Sequence, residues 1–154
     1  MKIIASLLLM LSFGILQAQS LDETEIQKTI EQMFQDVFSN LDERKIPIYF
    51  TEDVQIFENG EIFTLDSIQQ FVRNQKAMYQ SEENKQHRFN RINDFDLLST
   101  KIKDNQAIIG FYHTATFTMN DTEIAQMKWL ESAILVRSKD GWKIEFLHST
   151  ILKN

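Results

Sequence analysis

The sequence predicts an α+β fold in which three helices in the N-terminal half cover a curling antiparallel sheet of about six strands. Three observations carry this. Apolar residues recur at helical spacing from Leu21 to Leu41, an Asn59-Gly60 pair sits between two short β-prone runs, and from about residue 88 onward the chain alternates like strand almost to its end.

In the first segment Ile26, Ile30, Met33, Phe34, Val37, Phe38 and Leu41 fall three or four residues apart, and Asp22, Glu23 and Glu25 place acids near the start, where they complement the helix dipole. Asp42 can cap a short second helix through ERKIPIYF, which Pro47 distorts and Thr51 to Asp53 end. VQIFENGEIFTL, residues 54 to 65, reads as a hairpin, since a type I′ turn needs positive φ at both central positions. A third helix starts at Asp66, with Gln69 three residues on as in a capping box. Ile68, Phe71, Val72, Met78 and Tyr79 stripe one of its faces. After the polar loop 81–86, strands are expected at about 88–102, 106–119, 123–137 and 142–152. Turns at Asp104-Asn105, Asn120-Asp121 and Lys139-Asp140 make them an antiparallel meander.

The first twenty residues, MKIIASLLLMLSFGILQAQS, set one lysine before an apolar run and a small-residue exit ending at Ala18, the pattern of a secretory signal peptide. The run is too short for a membrane span. The expectation is an exported protein, periplasmic or secreted, with residues 1–18 as signal peptide and 19–154 as a single domain. Loss of residues 1–18 removes only Lys2 among the charges, leaving 15 basic and 22 acidic residues, so neither nucleic acid nor an anionic membrane surface is an expected partner.

The chain has no cysteine, which excludes thiolate nucleophiles, zinc-thiolate sites and disulfides. Four glycines and one proline leave no phosphate-cradling loop, no linker and no repeat. No cofactor is implied. His113, His148 and Glu131 are suitable metal-ligand types but lack a local spacing motif, so no metal site is assigned.

The order helix, short helix, hairpin, helix, four long strands resembles the nuclear transport factor 2-like superfamily, in particular its SnoaL-like, ketosteroid-isomerase-like exported bacterial branch. The closing run Leu135-Val136-Arg137-Ser138-Lys139-Asp140-Gly141-Trp142-Lys143-Ile144, then His148-Ser149, looks like the aromatic-rich final hairpin of many small exported members. The resemblance covers about 21 to 152. It implies a cystatin-like cone: a curved sheet whose wide side the helices close over a pocket. Isomerase-like members carry a carboxylate near the end of the first hairpin strand, where Glu58 stands here without the surrounding pattern.

Strand registers counted from the turns assign the faces. Counting from the last turn pairs 131 with 148 and 129 with 150, which puts Met127, Trp129, Glu131, Ala133 and Leu135 on one face with Ile144, Phe146, His148 and Thr150. A three-residue connection at the preceding turn adds Ala107, Ile109, Phe111, His113, Ala115 and Phe117. A two-residue turn at Asp104-Asn105 sets Asp96 opposite His113. The candidate pocket residues are therefore His148, Glu131, His113, Asp96, Trp129 and Phe111, two carboxylates beside two imidazoles on an apolar concave face. The outer face carries Leu130, Ile134, Val136, Leu147 and Ile151, surface for a homodimer. The favoured function is binding of a small apolar or amphipathic molecule. The alternatives are a lyase or isomerase using a His-carboxylate pair as general acid and base, and a dimeric interaction module.

Overall fold

The computed structural model describes residues 21–153; the expected signal peptide lies outside the described residues. Helix α1 runs over 21–33 and widens into a π-helical turn at Phe34–Ser39, closed by the Asn40 N–H donating to the Gln35 carbonyl at 2.8 Å. The helical spacing of the sequence is kept, with Ile26, Ile30, Met33, Phe34 and Val37 all buried. Leu41, at φ 53°, then reverses the chain. Asp42 caps the next turn as expected, its side chain accepting from the Arg44 N–H at 3.2 Å. A 3-10 turn (Glu43–Lys45) leads into α2 (Ile46–Tyr49), where Pro47 occupies the first turn and so costs no hydrogen bond.

The hairpin forms at Asn59-Gly60, φ 53° and 83°, between β1 (Phe50–Glu58) and β2 (Glu61–Phe63). Helix α3 (Leu65–Tyr79) is capped two residues before the expected position. Thr64 and Ser67 build its capping box in place of Asp66 and Gln69.

Strands β3 (Phe89–Lys103), β4 (Gln106–Met119), β5 (Thr122–Ser138) and β6 (Gly141–Ile151) follow the expected meander. The sheet order is β2-β1-β6-β5-β4-β3, open at both edges. It is mixed, because β1 lies parallel to β6, a pairing between segments far apart in sequence that no turn announces.

Three one-residue bulges bend the long strands, each leaving a residue without a partner: Leu98 in β3, Ile124 in β5 and Glu145 in β6. The bulge at Ile124, after the two-residue turn at Asn120-Asp121, produces the register that a three-residue connection would, so the inward faces of β4 and β5 are as expected. The other two bulges invert what was counted past them. Ile144 still pairs with Leu135, but Phe146 pairs with Ile134, and Leu147 and Ser149 turn inward while His148 turns out. In β3 it is Phe95, and not Asp96, that pairs with His113.

The core lies between the sheet's concave face and the helices. Ile26, Ile30, Met33 and Val37 of the first helix, Ile46 and Phe50, and Val72 of α3 meet Ile109, Phe111, Leu135 and Ile144 of the sheet, all at most 2% exposed. Burial of this many large apolar side chains, each worth about 1.5–3 kcal/mol, holds the layers together without a disulfide.

Candidate functional site

Beside this core the two layers part. A cavity of about 310 Å³ remains between the sheet and the helices, walled by rings of Phe34, Phe38, Phe63, Phe71, Tyr79, Phe117 and Trp129. Its polar lining is small: Glu58 from the end of β1, Gln75 from α3, Arg91 from β3, His113 from β4, Glu131 from β5 and Ser149 from β6.

His113 is 1% exposed and forms the middle of a cross-strand stack. Its register partners Phe95 and Trp129 lie nearly parallel to its ring at 4.8 and 5.1 Å, and Phe34 of the π-helical turn closes over it at 4.2 Å. Glu131, 4% exposed, accepts a hydrogen bond from Ser149 Oγ at 2.5 Å through one oxygen and turns the other to His113 Nδ1 at 3.3 Å.

The protonation pattern follows from which atoms can only donate. Arg91 Nε donates to Asn93 Oδ1 at 2.9 Å, which fixes that atom as the amide oxygen, while Asn93 Nδ2 donates to Ser39 Oγ at 2.8 Å. His113 Nε2, 3.0 Å from the same oxygen, must therefore carry a proton. Nδ1 and the Glu131 oxygen facing it, 3.3 Å apart, make no hydrogen bond with each other or with any other described group.

Glu58 is half-buried. It accepts from Trp129 Nε1 at 3.1 Å through one oxygen, and the other has no hydrogen-bond partner among the described residues. Burial pushes its carboxyl above the usual range, and the negative charge of Glu131 adds to this against the opposing Trp129 hydrogen bond and the Arg91 charge. The Arg91 guanidinium packs against the rings of Phe34, Phe38 and Phe117, 5.5 to 5.7 Å from their centroids. Burial lowers its pKa, though a guanidinium stays charged at any working pH.

Of the expected pocket residues, the structure brings His113, Glu131 and Trp129 together in the cavity lining. Three others are corrected. His148 is exposed on the outer face opposite Phe57, because the Glu145 bulge shifts β6 by one. Asp96 is exposed on the outer side of β3, because of the Leu98 bulge. Phe111 faces inward at 1% exposure but belongs to the packed core next to the cavity, edge-on to Phe34.

Counting registers missed Ser149, Arg91 and Asn93. The alternation Phe89, Arg91, Asn93, Phe95 was a usable signal, since it places two polar residues between two aromatics on one face. Among the described residues no group of three or more His, Asp or Glu side chains is placed to hold a metal ion. No described helix is long and apolar enough to cross a membrane.

No protein-family model and no curated protein sequence matches the chain. Solved structures do. A nuclear transport factor 2-like superfamily protein from Salmonella enterica serovar Typhimurium superposes with a TM-score of 0.64 at 15% identity, over 88% of this chain and 94% of that one. A type 2 hexachlorocyclohexane dehydrochlorinase gives 0.66 at 10% identity over 88% of each chain. A Nostoc punctiforme protein of unknown function with a cystatin-like fold gives 0.65 at 13% identity, over 87% of this chain and 93% of that one.

Proposed function

We propose that this chain, which has the nuclear transport factor 2-like fold, binds a small, flat, amphipathic molecule between its sheet and helices. The observation that carries the proposal is the cavity itself: about 310 Å³, at the lower end of the usual range for ligand sites, with seven aromatic walls and a few convergent polar groups. General acid-base chemistry by a His-carboxylate pair is less well supported, because the His113 ring is 1% exposed, stacked between Phe95 and Trp129, with its Nε2 held by Asn93. The test is ligand-observed and protein-observed NMR with a library of flat aromatic fragments. Binders should shift the Trp129 indole N–H, which faces Glu58 in the cavity, and leave that of Trp142, buried in the core, unmoved. Shifts confined to the outer sheet face would refute it.

Export and dimerisation belong to the same proposal. The leader-like first eighteen residues support a single exported domain beginning near Gln19, to be checked by the intact mass of protein recovered outside the cytoplasm. Dimerisation is supported by the outer sheet face, where Ile92, Ile108 and Leu130 are 54%, 50% and 40% exposed, with Ile134 and Val136 half-buried beside them. Leu147, expected on that face, is in fact in the core at 2%. Ile134→Glu should convert a dimer to monomers by light scattering, and a wild type already monomeric at tens of micromolar would contradict the dimer.

A further inference from the structure

The charged side chains lining the cavity are Glu58, Glu131 and Arg91. Glu131 is held by Ser149 and Glu58 by Trp129, whereas Arg91 is incompletely used. Its Nε is held by Asn93, three phenyl rings lie within 5.7 Å of its central carbon, and no carboxylate among the described residues lies within ion-pair distance of it. The terminal nitrogens of its fork have no hydrogen-bond acceptor among the described residues. Ring faces stabilise the positive charge but do not satisfy these N–H groups, which are left for an acceptor in the cavity. Asn93 is itself fixed, by Ser39 on the π-helical turn and by His113 on the neighbouring strand, so the fork is oriented before any ligand arrives.

We infer that the occupant of this cavity is a monoanion: a carboxylate, or an equally planar delocalised oxyanion, on a flat apolar body, with the oxyanion in the fork of Arg91 and the body between the aromatic walls. The inference rests on the cavity being a ligand site and adds the chemistry of the ligand's head. A planar head accepting two N–H bonds matches the guanidinium geometry, which a hydroxyl or an amine does not. Glu58, whose carboxyl is pushed above the usual range by burial, presents to the same cavity the oxygen that Trp129 leaves free.

The experiment is isothermal titration calorimetry of the protein with three probes of one shape: 2-naphthoate, 2-naphthalenemethanol and 2-naphthylmethylamine. The acid should bind about tenfold or more tightly than the alcohol, and the amine weakest. In Arg91→Met the acid-to-alcohol ratio should fall to about one, with alcohol affinity kept within roughly threefold, and Arg91→Lys should retain part of the preference. If the wild type binds acid and alcohol equally, or Arg91→Met keeps the ratio, the anionic head is refuted while the cavity remains a ligand site. If none of the three probes binds, both fall. Should Arg91→Met fail to unfold cooperatively, the wild-type ratio and the Arg91→Lys ratio decide the matter between them.

Discussion

Replacing His113 with leucine should cost about 3–5 kcal/mol of stability, because it leaves the Glu131 carboxyl, 4% exposed, with one oxygen facing only apolar groups. The pair itself is not expected to be worth that much against a hydrophobic substitute. His113→Leu combined with Glu131→Met removes both partners and should return stability to within about 2 kcal/mol of the wild type, the mark of a penalty for stranding one group. Urea unfolding of the four proteins in a double-mutant cycle measures it. A cost below about 1 kcal/mol for His113→Leu alone would mean that water reaches Glu131 and that the pair is not desolvated.

A loss of similar size is expected for Phe111→Ala, about 3–5 kcal/mol, from transfer of the ring and the void it leaves. Phe111 is 1% exposed, with Phe95 at 6.0 Å and Phe34 at 6.5 Å between ring centroids. Phe34 in turn covers His113 and walls the cavity, so the void opens directly behind the site, and fragment binding should weaken along with stability. Phe57→Ala is the control. That ring, 37% exposed on the outer face against Phe146, should cost less than about 1.5 kcal/mol in the same unfolding experiment.

Much of the architecture was written in local pattern. Each helix and long strand follows from its apolar period, and each tight turn from its Asn, Asp or Gly. The inward sets of β4 and β5 were legible because Ala107 to Phe117 and Met127 to Leu135 alternate without interruption. The site was legible only where it rested on those two strands, which is why His113, Glu131 and Trp129 were found. On β3 and β6 a bulge intervenes at Leu98 or Glu145, and neither residue is a glycine or proline that would mark one. His148 and Asp96 were therefore placed one position out of phase, and the same count put Ser149, the neighbour of His148, on the outer face. Arg91 was missed for a different reason. An arginine is ordinarily a surface residue, and only the approach of Phe34 and Phe38 from a helix some fifty residues earlier in the chain makes it an interior one. The parallel pairing of β1 with β6 likewise depends on tertiary contact alone, though it is what carries Glu58 to Trp129.

The bulge at Glu145 also determines which changes of chain length the last strand can accept. Ile144 faces the core and Phe146 faces out, with Glu145 between them unmatched on β5, so a chain one codon shorter at that point would keep every downstream side chain on its present side. Loss of a codon only three positions later, at His148, would turn Ser149 to solvent and bring Thr150 to the carboxyl of Glu131 in its place. Single-residue deletions across 143–150, scored for folded protein, should therefore peak in tolerance at 145. Natural relatives of differing length could carry the same buried site provided that their gap falls there.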